Sequence, residues 1–184
     1  TEVAVVSLGG VVESESIKTA GDAFDEAIVR YVRRKHNILI GKRTAEELKI
    51  GIACLVPRAE VGIQEVKGRC LTTGLPKSVK ISSVELVEAI AEPARDILET
   101  IHMVLERTPP ELVSDIAQNG IVMAGGGSLI YGFDQLVEKD TGIRTTVVDD
   151  ALSCAAFGSG KMLMNLNDMP EGMVNLARKR QMKA

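Results

Sequence analysis

The chain has 184 residues, a formal net charge of −3 and 45% hydrophobic residues, which is enough for one ordinary domain or two small ones with a sizeable core. Aromatic residues make up only 3% and Trp is absent, so the core is predicted to be aliphatic, as suits an α/β protein whose strands are covered by helices. Mixed charge without a long basic block argues against nucleic acid as a partner, and no apolar run approaches the ~20 residues of a membrane span. Cys54, Cys70 and Cys154 lack C-x-x-C spacing and read as reduced thiols rather than a metal site. The sequence opens at Thr1-Glu2-Val3, inside what already reads as a strand and without an initiator Met, so it is expected to be part of a longer protein.

Val3 to Ser7 and Val11 to Ile17 flank Leu8-Gly9-Gly10 and predict a hairpin. After Gly21-Asp22, apolar Phe24, Ala27, Ile28, Tyr31 and Val32 recur at helical spacing through about His36, with Arg30, Arg33, Arg34 and Lys35 near the C-terminal end. Thr44-Ala45-Glu46-Glu47 has the form of a capping box opening a short helix to about Ile52. Val61 to Cys70 and Ser78 to Ser82 predict an antiparallel pair. Ser82 or Ser83 then caps a long helix whose apolar stripe is read as Val84, Val87, Ile90, Ala91, Ala94, Ile97, Leu98, Ile101 and Leu105. Pro93 within it is expected to kink or split the helix near Glu92.

Thr108-Pro109-Pro110-Glu111 starts another helix, ending near Asn119-Gly120. Ile121-Val122-Met123 then has the apolar character of a buried strand and runs into Gly125-Gly126-Gly127-Ser128. Three successive glycines are expensive in chain entropy, and two readings stand: a tight strand-to-helix turn, or a backbone kept bare for a ligand lying against it. A helix around Phe133, Leu136 and Val137, a strand from Thr145 to Val148 and a helix capped by Asp149 or Asp150 and running to Leu166 complete the pattern. Pro170 to Ala184 reads as a marginal helix or disorder. The order implies one α/β layer interrupted by a smaller α+β insertion at roughly residues 21–82. A cleft between the two bodies would lie at the Gly125 turn, where open α/β sheets commonly bind ligands.

Several stretches together carry a resemblance: T-E-V-A-V-V-S-L-G-G, G-D-A-F-D-E-A-I, G-K-R-T-A-E-E-L-K-I, V-K-G-R, T-G-L-P-K, T-P-P-E-L, G-I-V-M-A-G-G-G-S-L-I-Y-G and T-G-I-R. Over nearly all of residues 1–166 the chain resembles the second half of the MreB family of bacterial actins, within the actin/Hsp70/sugar-kinase ATPase superfamily. The resemblance implies an α/β fold, domain II of an actin-like (ribonuclease H-like) ATPase with a small α+β insertion. Subdomain IIA would comprise residues 1–20 and 83–166, subdomain IIB residues 21–82, and residues 167–184 would be a C-terminal tail. It also implies that the phosphate loops and hydrolytic residues lie in a half of the protein outside this chain.

By the same resemblance, ATP with Mg²⁺ is the cofactor of the intact protein, and adenosine lies between Ala45, Glu46, Glu47 and Leu48 on one side and Gly125, Gly126, Gly127 and Ser128 on the other. This chain alone is expected not to hydrolyse ATP, and no residue of it is assigned a catalytic or metal-ligating role. The implied function is a head-to-tail filament that organises cell-wall elongation and rod shape, cytoplasmic at the inner face of the bacterial membrane. The implied partners are other copies of itself and membrane-associated elongation proteins such as MreC, MreD and RodZ, with the inner membrane contacted through the other half. Alternative readings are an isolated interaction module docking elongation partners, or another ATPase of this fold such as a sugar kinase or an Hsp70-like chaperone. Lys42, Ala124, Ser128 and Ala151 depart from the residues commoner in the family, and Lys42 is expected to alter charge beside the nucleotide.

Overall fold

A computed structural model describes residues 1–164. Strands β1 (Glu2–Ser7) and β2 (Gly10–Ser16) form the expected hairpin, closed by Leu8 and Gly9 with φ of 48° and 76°. Positive φ at both central residues gives the turn whose twist matches paired strands. Helix α1 (Gly21–His36), the two-residue strand β3 (Ile38–Leu39), helix α2 (Lys42–Ile52) and strands β4 (Ile63–Cys70) and β5 (Pro76–Ser82) follow. Next come helices α3 (Ser83–Arg107) and α4 (Pro110–Asn119), strand β6 (Ile121–Met123), helix α5 (Phe133–Thr141), strand β7 (Thr145–Val147) and helix α6 (Cys154–Met164). The predicted tail from Pro170 to Ala184 lies outside the described residues.

Strands β3, β4 and β5 make an antiparallel sheet in that order, whereas β6 and β7 pair in parallel and β1 pairs with β2. The single α/β layer read from the sequence is therefore divided. Among the described residues β1 and β6 do not hydrogen-bond to each other, and a cleft separates them.

The core is aliphatic, as composition requires, and runs continuously from Phe24, Ile28 and Val32 of α1 through Leu48 of α2 and Ile81 of β5 to Ile90 of α3 and Val137 of α5. Phe24, 1% exposed, meets Phe133 edge to face at 6.3 Å between ring centres, joining α1 to α5.

Three local expectations change. Helix α2 begins two residues before Thr44, with extended Gly41 as its N-cap and no side-chain cap. Thr44 already lies within the helix, and Glu47, read as its capping partner, instead accepts a hydrogen bond from Arg43 Nε at 3.1 Å, an i,i+4 pair. Pro93 does not split α3, which is assigned as one 25-residue helix with the proline buried. Burial along that helix outweighs one lost backbone bond. The stripe of α3 is also rotated from the sequence reading: Val84 is 62% exposed, while Leu86, Ala89 and Val104 are buried.

Ser82 does cap α3, in a complete capping box. Its Oγ accepts from the Glu85 N–H at 3.3 Å and its own N–H donates to Glu85 Oε2 at 3.0 Å. His36, the last residue of α1, sits 2.8 Å from Glu85 Oε1, so the box also links two helices. Burial works against the Glu85 charge, but the Ser82 backbone and hydroxyl together with His36 outweigh it and hold the carboxyl below its ordinary 4.5. A depressed folded-state pKa contributes stability that is present above pH 4.5 and lost as pH falls through the folded value. Glu85→Gln should thus destabilise by about 1 kcal/mol at neutral pH and lose less further stability than the parent below pH 4.5. Urea unfolding across a pH series checks this, and parallel acid slopes would refute it.

Candidate functional site

The site is built where β6 ends. Gly125 has φ of 86°, and its N–H donates to Ala151 O at 2.7 Å, which pins the turn to the loop after β7. Ser128, 6% exposed, closes the turn by donating its Oγ–H to Gly125 O at 2.7 Å, and residues Gly126–Leu129 form one 3₁₀ turn. Only Gly125 needs to be glycine for conformational reasons. A Cβ on Gly127 would meet nothing within 4 Å, and one on Gly126 would touch only the flexible tip of Leu152 at 3.2 Å. The tight turn accounts for one glycine of three. The other two leave main chain bare along a cleft of about 1200 Å³.

Helix α2 supplies the facing wall. Glu46, Lys49 and Ile50 line the cleft together with Gly125, Gly126, Gly127 and Ser128. Ala45 and Leu48 are fully buried and support the helix from behind, while Glu47 is engaged with Arg43. Of the eight residues singled out from the sequence, the fold brings Glu46 and the four turn residues onto one cavity and places the other three around it. Lys42 does not line this cleft; its Nζ pairs with Glu26 Oε1 at 3.0 Å, on α1. The Ala151 bond uses only a backbone carbonyl, so the residue type there is immaterial to it.

Sequence reasoning missed the charged groups that hold and line this wall. Lys49 Nζ lies 2.8 and 2.9 Å from the two carboxylate oxygens of Asp25 and donates to Gly21 O at 3.0 Å. Both side chains are largely buried, 14% and 8% exposed. The pair clamps α2 to the first turn of α1. Its helical positions were legible, but the crossing that brings two helices together was not. Arg58 sits with its guanidinium carbon 4.4 Å from the Tyr131 ring centre and donates to Ala53 O at 3.1 Å, which places a cation and an aromatic face on the same cavity. The main chains of the two walls also meet here: Leu55 N–H donates to Tyr131 O at 2.9 Å, and Gly132, with φ of 76°, lies where any Cβ would overlap the Val56 side chain.

Removing one partner of a buried ion pair leaves the other charge uncompensated, so Lys49→Met should destabilise by about 3 kcal/mol. The double change Lys49→Met with Asp25→Leu should recover much of that loss. Chemical denaturation of the parent, Lys49→Met, Asp25→Leu and the double variant measures both, and additive losses would contradict a direct pair.

The model of the MreB/Mbl protein family matches residues 1–171. The cell shape-determining protein MreB of Escherichia coli K12 is 47% identical over 163 residues, covering 89% of this chain and 47% of that protein. The cell shape-determining protein Mbl of Bacillus subtilis 168 is 41% identical over 171 residues, covering 93% and 51%. The chain thus spans about half the length of the curated relatives it matches. Among solved structures, MreB5 of Spiroplasma citri bound to ADP superposes with a TM-score of 0.87 at 37% identity, over 90% of this chain and 50% of that one. The same protein bound to AMPPNP gives 0.88 at 36%, over 91% and 50%. A MamK double helical filament gives 0.62 at 26%, over 78% and 46%. These likenesses establish the actin-like α/β fold and do not favour the sugar-kinase, chaperone or isolated-module readings. The chain belongs to the MreB/Mbl family.

Proposed function

We propose that the cleft between α2 and the Gly125 turn is one half of an adenine-nucleotide site, and that the protein is a filament-forming bacterial actin that determines cell shape. The observation that carries this reading is the bareness of Gly126 and Gly127, which the fold does not require, opposite Glu46 and Lys49. A flat ring and ribose need a surface without Cβ atoms on one side and hydrogen-bonding groups on the other. The nucleotide-bound MreB5 structures support the same assignment by likeness.

In this reading Gly125, Gly126, Gly127 and Ser128 face the nucleotide from a subdomain IIA formed by residues 1–20 and 83–166. Glu46 faces it from a subdomain IIB formed by residues 21–82, and buried Ala45 and Leu48 hold that helix in place, with Glu47 beside them on the same first turns. In the intact protein Mg²⁺ accompanies the phosphates of ATP. The metal neutralises phosphate charge when bound, while this chain's own residues position the base and ribose. Head-to-tail contacts between copies build the filament, in line with the filament formed by MamK. No helix among the described residues is long and apolar enough to cross a membrane. Attachment to the inner face of the membrane, and contacts with MreC, MreD and RodZ, complete the proposal for the intact protein.

Gly127→Val tests the reading without disturbing the fold. Its φ lies outside the left-handed region and a Cβ added there would meet nothing within 4 Å, so the fold should be kept, which the melting temperature checks. Binding of ADP or AMPPNP, followed by saturation-transfer NMR, should weaken at least roughly tenfold, ~1.4 kcal/mol. Undiminished binding by the variant, or no binding by the parent chain, would overturn the assignment.

A further inference from the structure

The C-terminal end of α1 borders a second concave surface, which shares no lining residue with the nucleotide cleft. Arg30, Arg33, Arg34 and Asn37 stand at i, i+3, i+4 and i+7, so they form one stripe, and with Leu71 they line a hollow of about 410 Å³. Like charges at these spacings destabilise a helix unless something matches them. Arg30 is matched, its Nη2 lying 3.3 Å from Glu92 Oε2. Lys35 and His36, on other faces of the last turn, are matched by Glu88 at 3.8 Å and Glu85 at 2.8 Å. Among the described residues Arg33 has no carboxylate partner, and Arg34 has the Tyr31 ring 5.8 Å away in place of one. The helix dipole favours cations in the last turn on every face. The two unmatched ones lie on the face that borders the hollow.

The floor of the hollow is apolar. Leu71 N–H donates to Asn37 O at 2.9 Å, one rung beyond the Ile38–Cys70 pair, which fixes Leu71 against the end of α1. Alternation places Leu71 on the same face of the sheet as Arg69, whose register partner is Leu39. Leu71 and Leu39 are 40% and 37% exposed. Four guanidinium groups therefore share one surface with two accessible leucines, on a chain whose net charge is −3. A guanidinium fork pairs best with a planar anion such as a carboxylate, and an accessible leucine calls for an aliphatic or aromatic side chain beside it. A phosphodiester strand offers no such side chain, and a bilayer surface does not enter a hollow. We propose that this surface docks an acidic peptide segment of another protein, with an apolar side chain resting on Leu71 and flanking carboxylates held by Arg33 and Arg34. Charge complementarity selects the partner, and the leucines set its register.

An array of short synthetic peptides, each with one apolar residue flanked on both sides by Asp and Glu, supplies the probe, and fluorescence polarisation measures the best binder. The double change Arg33→Gln with Arg34→Gln should weaken that peptide at least roughly tenfold. Leu71→Ser, or Ser in place of the peptide's apolar residue, should weaken it roughly threefold. Equal removal of charge at exposed positions elsewhere, Arg95→Gln with Lys139→Gln, should leave the affinity unchanged. Melting temperatures confirm that each variant is folded. The proposal fails if no acidic peptide binds, if the control pair weakens binding as much as the arginine pair, or if the serine-substituted peptide binds equally well. It also fails if sedimentation shows that a second copy of the chain occupies the hollow.

Discussion

The buried contact of Lys49 with Asp25 and Gly21 O joins α2 to α1 and, through it, to the rest of the cleft. It sets the position of α2 against α1. Phe24, one residue from Asp25, carries that position across to Phe133 and α5. The Gly125 turn lies at the other end of the same chain of contacts, tied through Leu55 and Tyr131. Two stretches about 80 positions apart are thereby held on opposite walls of one cleft. An ammonium removed from water is tolerated only where carboxylate and carbonyl oxygens surround it, which gives the arrangement its geometric definition.

The cleft divides the work between side chains and backbone. The α2 wall contributes charge through Glu46 and Lys49, and the β6 wall contributes bare main chain at Gly126 and Gly127.

Much of this was legible in the sequence, and the failures share a cause. The hairpin at Leu8-Gly9, the cap at Ser82 and the glycine turn follow from local rules about φ and backbone hydrogen bonds, so they could be read directly. Family resemblance, rather than spacing, singled out Ala45 to Leu48. The T-x-x-E pattern at Thr44 misled because the same carboxylate satisfies Arg43 one turn away when the helix starts earlier. The stripe of α3 was misread because that helix carries overlapping apolar faces, and only packing against α1 and α5 selects between them. Lys49, Arg58 and Tyr131 were missed because their significance lies in which helices and loops cross, a long-range property that no local window contains.

The central claim is that the α2 wall and the Gly125 turn close on one nucleotide. A map of backbone amide chemical shifts during an ADP titration tests it most directly. Changes should concentrate at both Glu46 to Ile50 and Gly125 to Ser128 and saturate with a single binding constant. Changes confined to one wall, or centred on the separate arginine-lined hollow of Arg30, Arg33 and Arg34, would contradict it.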